Sequence, residues 1–298
     1  NSEAARALLR NGADPGLGNQ SGETALNIAT KKGCSDVVRV LLADDRVNPN
    51  LRGYSQEDSS NALAPLHVAA KESLCGPDLL KTLIDNGAEV NSQTEGNGWT
   101  PFHYAVLNHN FEKAKTLWDN GADRDACDFA GNSALHIACE RGDSVAIKKL
   151  VEFDVNLNLD NGRQQKPLYL AVWNTVELET IELLLKSGAD PSGENRTYRY
   201  DWFREVQLCR PVLHLAADMG HKIEGDLKFC SMDFNKRVKY FDGVAKLLLN
   251  YRANPAQMDI KTGDTALHAA ARYSNSDLAK KIVKANKQVI NWRNFNGE

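Results

Sequence analysis

The chain has 298 residues, and 36 Lys and Arg stand against 39 Asp and Glu, so its formal net charge is -3. Hydrophobic residues make up 42% and charged residues 25%, which is typical of folded proteins and atypical of disordered chains. No apolar run reaches the roughly 18 residues of a membrane-spanning helix, and the nearly neutral charge argues against general nucleic-acid binding.

A four-residue pattern recurs along the chain and predicts where helices begin. Its third position is leucine or phenylalanine in each copy, at residues 26, 66, 102, 135, 168, 213 and 267. Successive copies are 40, 36, 33, 33, 45 and 54 residues apart. Two of these spacings equal 33, and we interpret the longer ones as the same period with insertions. Thr, Ser or Pro at the head of most copies is typical of the first turn of a helix.

A second pattern closes each unit and predicts where helices end. Gly-Ala followed by an acidic residue begins at Gly12, Gly87, Gly121 and Gly188. A helix terminus that needs a positive φ favours glycine there. Between the two patterns, apolar residues recur at helical spacing, as in residues 79–84. Each unit is therefore predicted to contain two helices followed by a hairpin-like loop.

Together the two patterns resemble the ankyrin-repeat family, whose period is 33 residues and whose signature is T-P-L-H-x-A. The resemblance implies an all-α solenoid of stacked helix-turn-helix units, and it predicts a single array over residues 1–298. The predicted units are 19–50, 61–92, 97–126, 130–158, 162–191, 208–255 and 262–291, with partial units at 1–15 and 294–298. These partial units lead us to expect a fragment of a longer array.

Histidine is the commonest chemistry-bearing residue in the pattern. Five copies carry it, at His67, His103, His136, His214 and His268, whereas Asn27 and Tyr169 replace it in two others. The resemblance implies that these histidines tie adjacent turns together by hydrogen bonds. We find no metal-ligand spacing, no nucleophile motif and no phosphate-binding loop. The sequence thus predicts a protein that is not an enzyme and has no cofactor or metal.

The cysteines are loosely spaced and include no CxxC pair. They are Cys34, Cys75, Cys127, Cys139, Cys209 and Cys230. Disulfide frameworks are typical of small secreted chains, so we expect reduced, structural thiols in an intracellular, cytoplasmic protein. A secreted effector that acts in a host cytosol stays open as an alternative.

Two insertions interrupt the repeats, at 192–209 and at 220–241. The first combines arginines with aromatic residues, the composition of interface hot spots. Its candidate partner-binding residues are Arg196, Tyr198, Tyr200, Trp202, Phe203 and Arg204. One hypothesis is a partner-binding protrusion, and the other is a long loop whose aromatics pack on the stack. A shorter polar insertion at 51–62 is predicted to be a solvated loop.

Further candidate residues belong to the inner curve of the predicted solenoid, where repeat arrays present a broad surface. They are Trp99, Arg141, Trp173 and Tyr273. The alternative for each tryptophan is packing against a neighbouring repeat, which we favour for Trp99, whereas we favour binding for Trp173. The main hypothesis is a monomeric scaffold that binds a partner protein or peptide on this concave face and on the 192–241 protrusion. It predicts no membrane span and no nucleic-acid partner. Two alternatives stay open: a sensing array for small molecules or single-stranded nucleic acid, and a regulatory or targeting region of a larger multidomain enzyme.

Overall fold

The computed structural model describes residues 1–20, 22–55, 58–192, 211–219, 233–259 and 262–298. Within these ranges nearly all regular structure is helical, so the all-α prediction is confirmed with one short hairpin as the exception. The chain divides into two compact units, Asn1–Ala134 and Leu135–Glu298.

The first unit consists of helices in two rows and a hairpin. Its elements are α1 (Ser2–Arg10), α2 (Ala25–Lys31), α3 (Ser35–Leu42), β1 (Gly53–Ser55), β2 (Asp58–Leu63), α4 (Pro65–Lys71), α5 (Pro77–Asp85), α6 (Pro101–Leu107) and α7 (Phe111–Asp119). The first helices of successive repeats contact one another, α2 with α4 and α4 with α6. The second helices do the same, from α1 through α3 and α5 to α7. The core between the rows includes Leu66, Leu80, Leu83 and Phe102, each at most 1% exposed.

The second unit repeats this arrangement. Its elements are α8 (Ala134–Arg141), α9 (Ser144–Glu152), α10 (Pro167–Trp173), α11 (Leu178–Lys186), α12 (Val212–Met219), α13 (Phe234–Asn250), α14 (Ala266–Arg272), α15 (Ser276–Ala285) and a 3-10 helix (Lys287–Asn291). The first residue of α8, Ala134, is the last residue of the first unit. Helices α10, α12 and α14 contact in series, and so do α9, α11, α13 and α15. Ile147, Leu168, Tyr169 and Phe241 are fully buried between the rows.

The starts and ends of the helices follow from local chemistry. Thr100 and His103 form a reciprocal capping box, in which the Thr100 backbone N–H donates to His103 Nδ1 over 3.2 Å. Pro101 occupies the first turn, where its missing N–H has no helical partner to lose. At the other end of the repeat, Gly121 and Gly188 have φ of 89° and 100°. The predicted left-handed backbone at these glycines is confirmed.

The polar insertion at 51–62 differs from its prediction. Instead of an irregular loop, its two arms form the antiparallel strands β1 and β2, with Gly53 opposite Leu63 and Ser55 opposite Asp58. Pairing the arms satisfies backbone donors and acceptors within the segment. The base of the hairpin is fixed because the Asn27 side-chain amide donates to the Leu63 carbonyl oxygen over 3.0 Å.

Part of the second insertion also belongs to a helix. Helix α13 extends over 17 residues, so residues 234–241 form its first turns, while 220–232 lie outside the described residues. The Tyr240 hydroxyl donates to the Val176 carbonyl oxygen over 2.7 Å, which attaches this end of α13 to the turn between α10 and α11. Gly243 faces Leu178, and a β-carbon on it would lie 2.8 Å from a Leu178 methyl carbon. A small residue there permits the close contact of α11 with α13.

Candidate functional site

Exposed atoms of the first helices are concentrated at their carboxyl ends. Residues 101–107 of α6 are all buried, and the two residues that follow, Asn108 and His109, are exposed. In α10, residues 167–172 are buried and Trp173 is half-buried. Because the bodies of α6 and α10 are covered by their neighbours, these two first helices present a partner with their carboxyl ends and the adjoining loops.

Trp173 is held in place on this surface by its own helix. Its ring stacks on Tyr169, with ring centroids 6.4 Å apart and planes 10° apart. Tyr169 itself is only 1% exposed, so the stack anchors one side of the tryptophan to the core. A large, pre-positioned aromatic ring loses little conformational freedom on binding, which suits a contact anchor.

Trp99 is more deeply integrated into the first unit. Its indole stacks on His103 at a centroid distance of 6.3 Å and meets the edge of Tyr104 at 5.3 Å. Tyr104 in turn contacts His67 edge-on at 5.9 Å. Trp99 is half-buried, so the structure places it in an aromatic cluster between repeats with only part of the ring accessible.

Arg141 and Tyr273 both lie at the ends of first helices. Arg141 is the last residue of α8 and is exposed, while Tyr273 follows α14 and is half-buried. Next to Tyr273, Arg272 forms a 2.6 Å ion pair with the buried carboxylate of Asp264. Burial alone would raise the pKa of Asp264, but hydrogen bonds from Arg272 and Asn294 outweigh it and lower that pKa. The Asp264 carboxylate therefore fixes the end of α14.

The remaining candidate residues of the first insertion lie outside the described residues. They are Arg196, Tyr198, Tyr200, Trp202, Phe203 and Arg204. Their role in partner binding stays a prediction.

The motif histidines contact the loops that follow them. Nε2 of His67 lies 2.9 Å from the Ser92 carbonyl oxygen, and Nε2 of His136 lies 3.0 Å from that of Gln165. Burial lowers the pKa of both His67 and His103 to about 4, so both rings are neutral at pH 7. Within the described ranges, no group of His, Cys, Asp or Glu has the arrangement of a metal site. The hydrogen-bonding role predicted for His67 and His136 is confirmed.

Asparagine clamps between repeats were missed by sequence reasoning. The Asn91 amide donates to the Gly121 carbonyl oxygen over 3.1 Å and accepts from the Asp123 backbone N–H over 2.8 Å. Asn158 makes the same pair with Gly188 and Asp190, at 2.9 and 2.7 Å. The sequence signal that could have revealed them is their position in the repeat. Asn91 lies two residues after the acidic residue Glu89, and Asn158 lies two residues after Asn156, which replaces the acidic residue in its unit.

A buried lysine was also missed. Lys113 of α7 is 5% exposed, and its ammonium group donates to the carbonyl oxygens of Ala69, at 2.9 Å, and of Glu72. Asn110 donates to the carbonyl oxygens of Ala70 and Lys71 over 3.0 and 3.1 Å. Together they satisfy the orphan carbonyls at the end of α4, which belongs to the candidate surface. A lysine near a turn gives no sequence signal for burial, because lysine is mostly exposed.

Comparison with protein families assigns the repeats. A model described as ankyrin repeats matches residues 1–94, 51–128 and 120–195, and a model of a single ankyrin repeat matches residues 262–294. These matches cover well over half of the chain.

Comparison with individual proteins gives distant relatives. A fowlpox virus ankyrin repeat protein is 30% identical over 231 residues, covering 73% of this chain and 63% of the viral protein. The mouse B-cell lymphoma 3 protein homolog is 28% identical over 169 residues, 56% of this chain and 36% of the relative. An I-kappa-B-like protein of a Microplitis demolitor bracovirus is 27% identical over 153 residues, 49% of this chain and 83% of the relative. The chain thus spans about a third of the mouse protein's length.

Proposed function

We propose that this chain, which belongs to the ankyrin-repeat family, is a non-enzymatic module that binds a partner protein or peptide. Ankyrin repeats generally mediate protein–protein interaction, and the family assignment supports this class of function. The partner-binding surface comprises the carboxyl ends of the first helices, which line the predicted concave face, together with the 192–241 segment.

One observation carries this assignment of the surface. Each of α6, α8 and α10 is buried along its body and becomes accessible at its carboxyl end, where α8 presents Arg141 and α10 presents Trp173. Arginine and tryptophan are enriched among residues that dominate binding energy. A rigid scaffold that presents such anchors in register keeps the entropic cost of binding low.

The compartment is part of the proposal. Cys34, Cys75, Cys127 and Cys139 are free thiols among the described residues, and burial raises the pKa of the Cys75 and Cys139 thiols. Unpaired, protonated thiols are consistent with a reducing, intracellular environment. No helix within the described ranges is long and apolar enough to cross a membrane.

A second candidate function is that of a regulatory or targeting region within a larger multidomain enzyme. The matched stretch covers only 36% of the mouse relative, so that protein contains much more than the part resembling this chain. An array of this kind in a multidomain protein would serve as a regulatory or targeting region. Sequencing the full-length transcript and testing the tethered regions for activity with and without the array would distinguish this role from a free-standing scaffold.

Affinity purification tests the main proposal. Wild-type protein is compared with Trp173→Ala and Trp202→Ala, and captured partners are then titrated against each purified variant. We expect at least one of the two substitutions to weaken partner binding about tenfold, because each removes a large aromatic contact.

Trp118→Ala is the matched control, since Trp118 is an exposed tryptophan on the second helix α7. It should leave affinity unchanged. If neither Trp173→Ala nor Trp202→Ala weakens binding of any partner, the surface assignment is wrong. Binding of a single-stranded oligonucleotide with a steep salt dependence would instead support the nucleic-acid alternative.

A further inference from the structure

Two second helices of the first unit, α1 and α3, line a groove that is not part of the surface in the proposed function. Helices α1 and α3 contact each other, and between them lies an open groove of about 790 Å³. Leu9, Val40 and Ala43 contribute apolar side chains to its lining, and Arg6 and Arg10 contribute guanidinium groups from α1. The volume falls in the range of sites that bind ligands or peptide segments.

Two further arginines of the lining are already engaged. Arg46 makes a two-pronged contact with Asp44, at 2.7 and 2.9 Å, and also donates to the Leu9 carbonyl oxygen over 3.3 Å. Arg39 forms a 3.8 Å ion pair with Asp36. Asp44 is therefore closely paired and Asp36 loosely paired at the exposed surface, and a third acidic residue, Asp45, also lines the groove.

Arg6 and Arg10 differ from these pairs. Both are exposed, and neither forms an ion pair or a side-chain hydrogen bond with any residue that the structure describes. They are four positions apart in the sequence, so they lie on the same side of α1, about 6 Å apart along the helix axis. Among the described residues, the wall of the groove formed by α1 thus carries two guanidinium groups that have no ion-pair partner.

We infer that this groove binds an acidic amphipathic helix of a partner protein. Two carboxylates four residues apart on such a helix match the spacing of Arg6 and Arg10, and each can accept two hydrogen bonds from one guanidinium. The small apolar residues between the carboxylates contact Leu9, Val40 and Ala43. Laying an amphipathic helix into a groove is a common mode of peptide recognition. The site involves second helices, so it is separate from the surface around Trp173.

A synthetic peptide titration tests the inference. The probe is a fluorescein-labelled helical peptide with two glutamates four residues apart beside a stripe of leucine and alanine, and the paired probe carries glutamines instead. Wild-type protein should bind the glutamate peptide about tenfold more tightly than the glutamine peptide, as measured by fluorescence anisotropy. Raising the ionic strength should weaken the binding, because the charges are close to solvent.

Variants locate the binding. The double variant Arg6→Gln, Arg10→Gln should lose the preference for the glutamate peptide, and Arg6→Lys, Arg10→Lys should lose only part of it, because lysine keeps the charge without the planar fork. The control variant Lys81→Gln, Lys115→Gln removes two exposed charges from α5 and α7 and should leave binding unchanged, as should Trp173→Ala. Circular dichroism verifies that each variant is folded.

Three results would each overturn the inference. The first is wild-type protein that does not bind the glutamate peptide saturably. The second is equal affinity for the two peptides. The third is a folded Arg6→Gln, Arg10→Gln variant that binds as tightly as wild type. The proposed function is tested at Trp173 and Trp202, and the groove is tested at Arg6 and Arg10. Failure of either test therefore leaves the other proposal standing.

Discussion

At the scale of single residues, the asparagine clamps connect one repeat to the next through side-chain to backbone hydrogen bonds. Asn91 reaches over to the turn that begins at Gly121, and Asn158 reaches to the turn at Gly188. Each clamp uses both the donor and the acceptor of one amide, a combination that aspartate and alanine side chains lack. The clamps therefore fix the register between adjacent hairpin-like loops.

Asn91→Ala should destabilise the protein by about 1–2 kcal/mol, because two inter-repeat hydrogen bonds are lost in a partly solvated turn. Asn86→Ala is the control, since the Asn86 amide donates only to the Thr82 carbonyl oxygen of its own helix. Urea denaturation followed by circular dichroism measures both. Equal destabilisation by the two substitutions would contradict the clamp.

The buried motif histidines make stability depend on pH. Burial lowers the pKa of His67 and His103 from 6.5 to about 4, so protonation favours the unfolded state. The stabilising contribution of each neutral ring is complete above pH 6.5 and is lost as the pH falls towards 4. We expect the free energy of unfolding to decrease through this window.

Urea unfolding of wild type and His103→Gln at a series of pH values checks this. A glutamine does not titrate, so the slope of unfolding free energy against pH between 6.5 and about 4 should be shallower in the variant, whatever its stability at neutral pH. An unchanged slope would show that His103 is not responsible.

At the scale of secondary-structure elements, the end of α4 depends on residues at the start of α7. Lys113 and Asn110 donate to the last four carbonyl oxygens around that end, from Ala69 to Glu72. Lys113→Met should destabilise by about 1–3 kcal/mol, since it keeps the aliphatic stem but leaves buried carbonyls without a donor. Lys115→Met on the same helix is exposed and should be nearly neutral. Thermal denaturation compares the stability of the two variants. A similar loss of stability in both would show that Lys113 does not cap the end of α4.

The glycine at the end of α7 is required by backbone conformation rather than by space. Gly121 has φ of 89°, and a β-carbon there would meet no atom within 4 Å. Gly121→Ala should therefore destabilise by about 1–2 kcal/mol from backbone strain alone. Gly121→Asn should lose less, because asparagine tolerates this region better. If the Gly121→Ala variant were as stable as the wild-type protein in urea denaturation, the strain argument would be wrong.

Several elements were predictable from sequence, and their common basis is a short-range signal. Leu66, Phe102 and Leu168 occupy the same position of the recurring pattern, and apolar residues at helical spacing follow each of them. The repeat period and the helix starts therefore follow from this pattern and from capping chemistry. The hairpin at 53–63 escaped prediction because its polar residues do not alternate with apolar ones. The first turns of α13 escaped because Phe234 and Phe241 stand in a basic stretch that resembles an exposed loop.

The candidate surface was less predictable than the fold. Trp99 and Trp173 are equally conspicuous in the sequence, yet one stacks on His103 between repeats and the other on Tyr169 at a helix end. The sequence favoured packing for Trp99 and binding for Trp173, but the stacking partners themselves follow only from three-dimensional packing. Lys113, Asn91 and the Arg6–Arg10 pair were missed because contacts between repeats join residues tens of positions apart, which a single sequence does not reveal.

At the scale of the whole molecule, elements contact mainly their neighbours in the repeat order. Leu83 of α5 is completely buried, and α5 contacts α3, α4 and α7. Leu83→Ala should destabilise its surroundings by about 2–5 kcal/mol through the cavity it leaves. Because repeat stability is approximately a sum of neighbour interfaces, the effect should fade along the chain. Hydrogen exchange by mass spectrometry should show the largest loss of protection in α3, α5 and α7, and a uniform loss throughout would contradict this.

The direct packing of α12 on α13 has a consequence for engineering. The two helices contact each other directly, and the entropy of closing a loop changes only slowly with its length. We therefore expect the contact of α12 with α13 to persist when a glycine-serine linker, a fluorescent protein or a foreign epitope replaces residues 220–232, at the cost of any partner contact that this segment makes. Such grafts would turn the array into a carrier whose cargo is chosen independently of its framework.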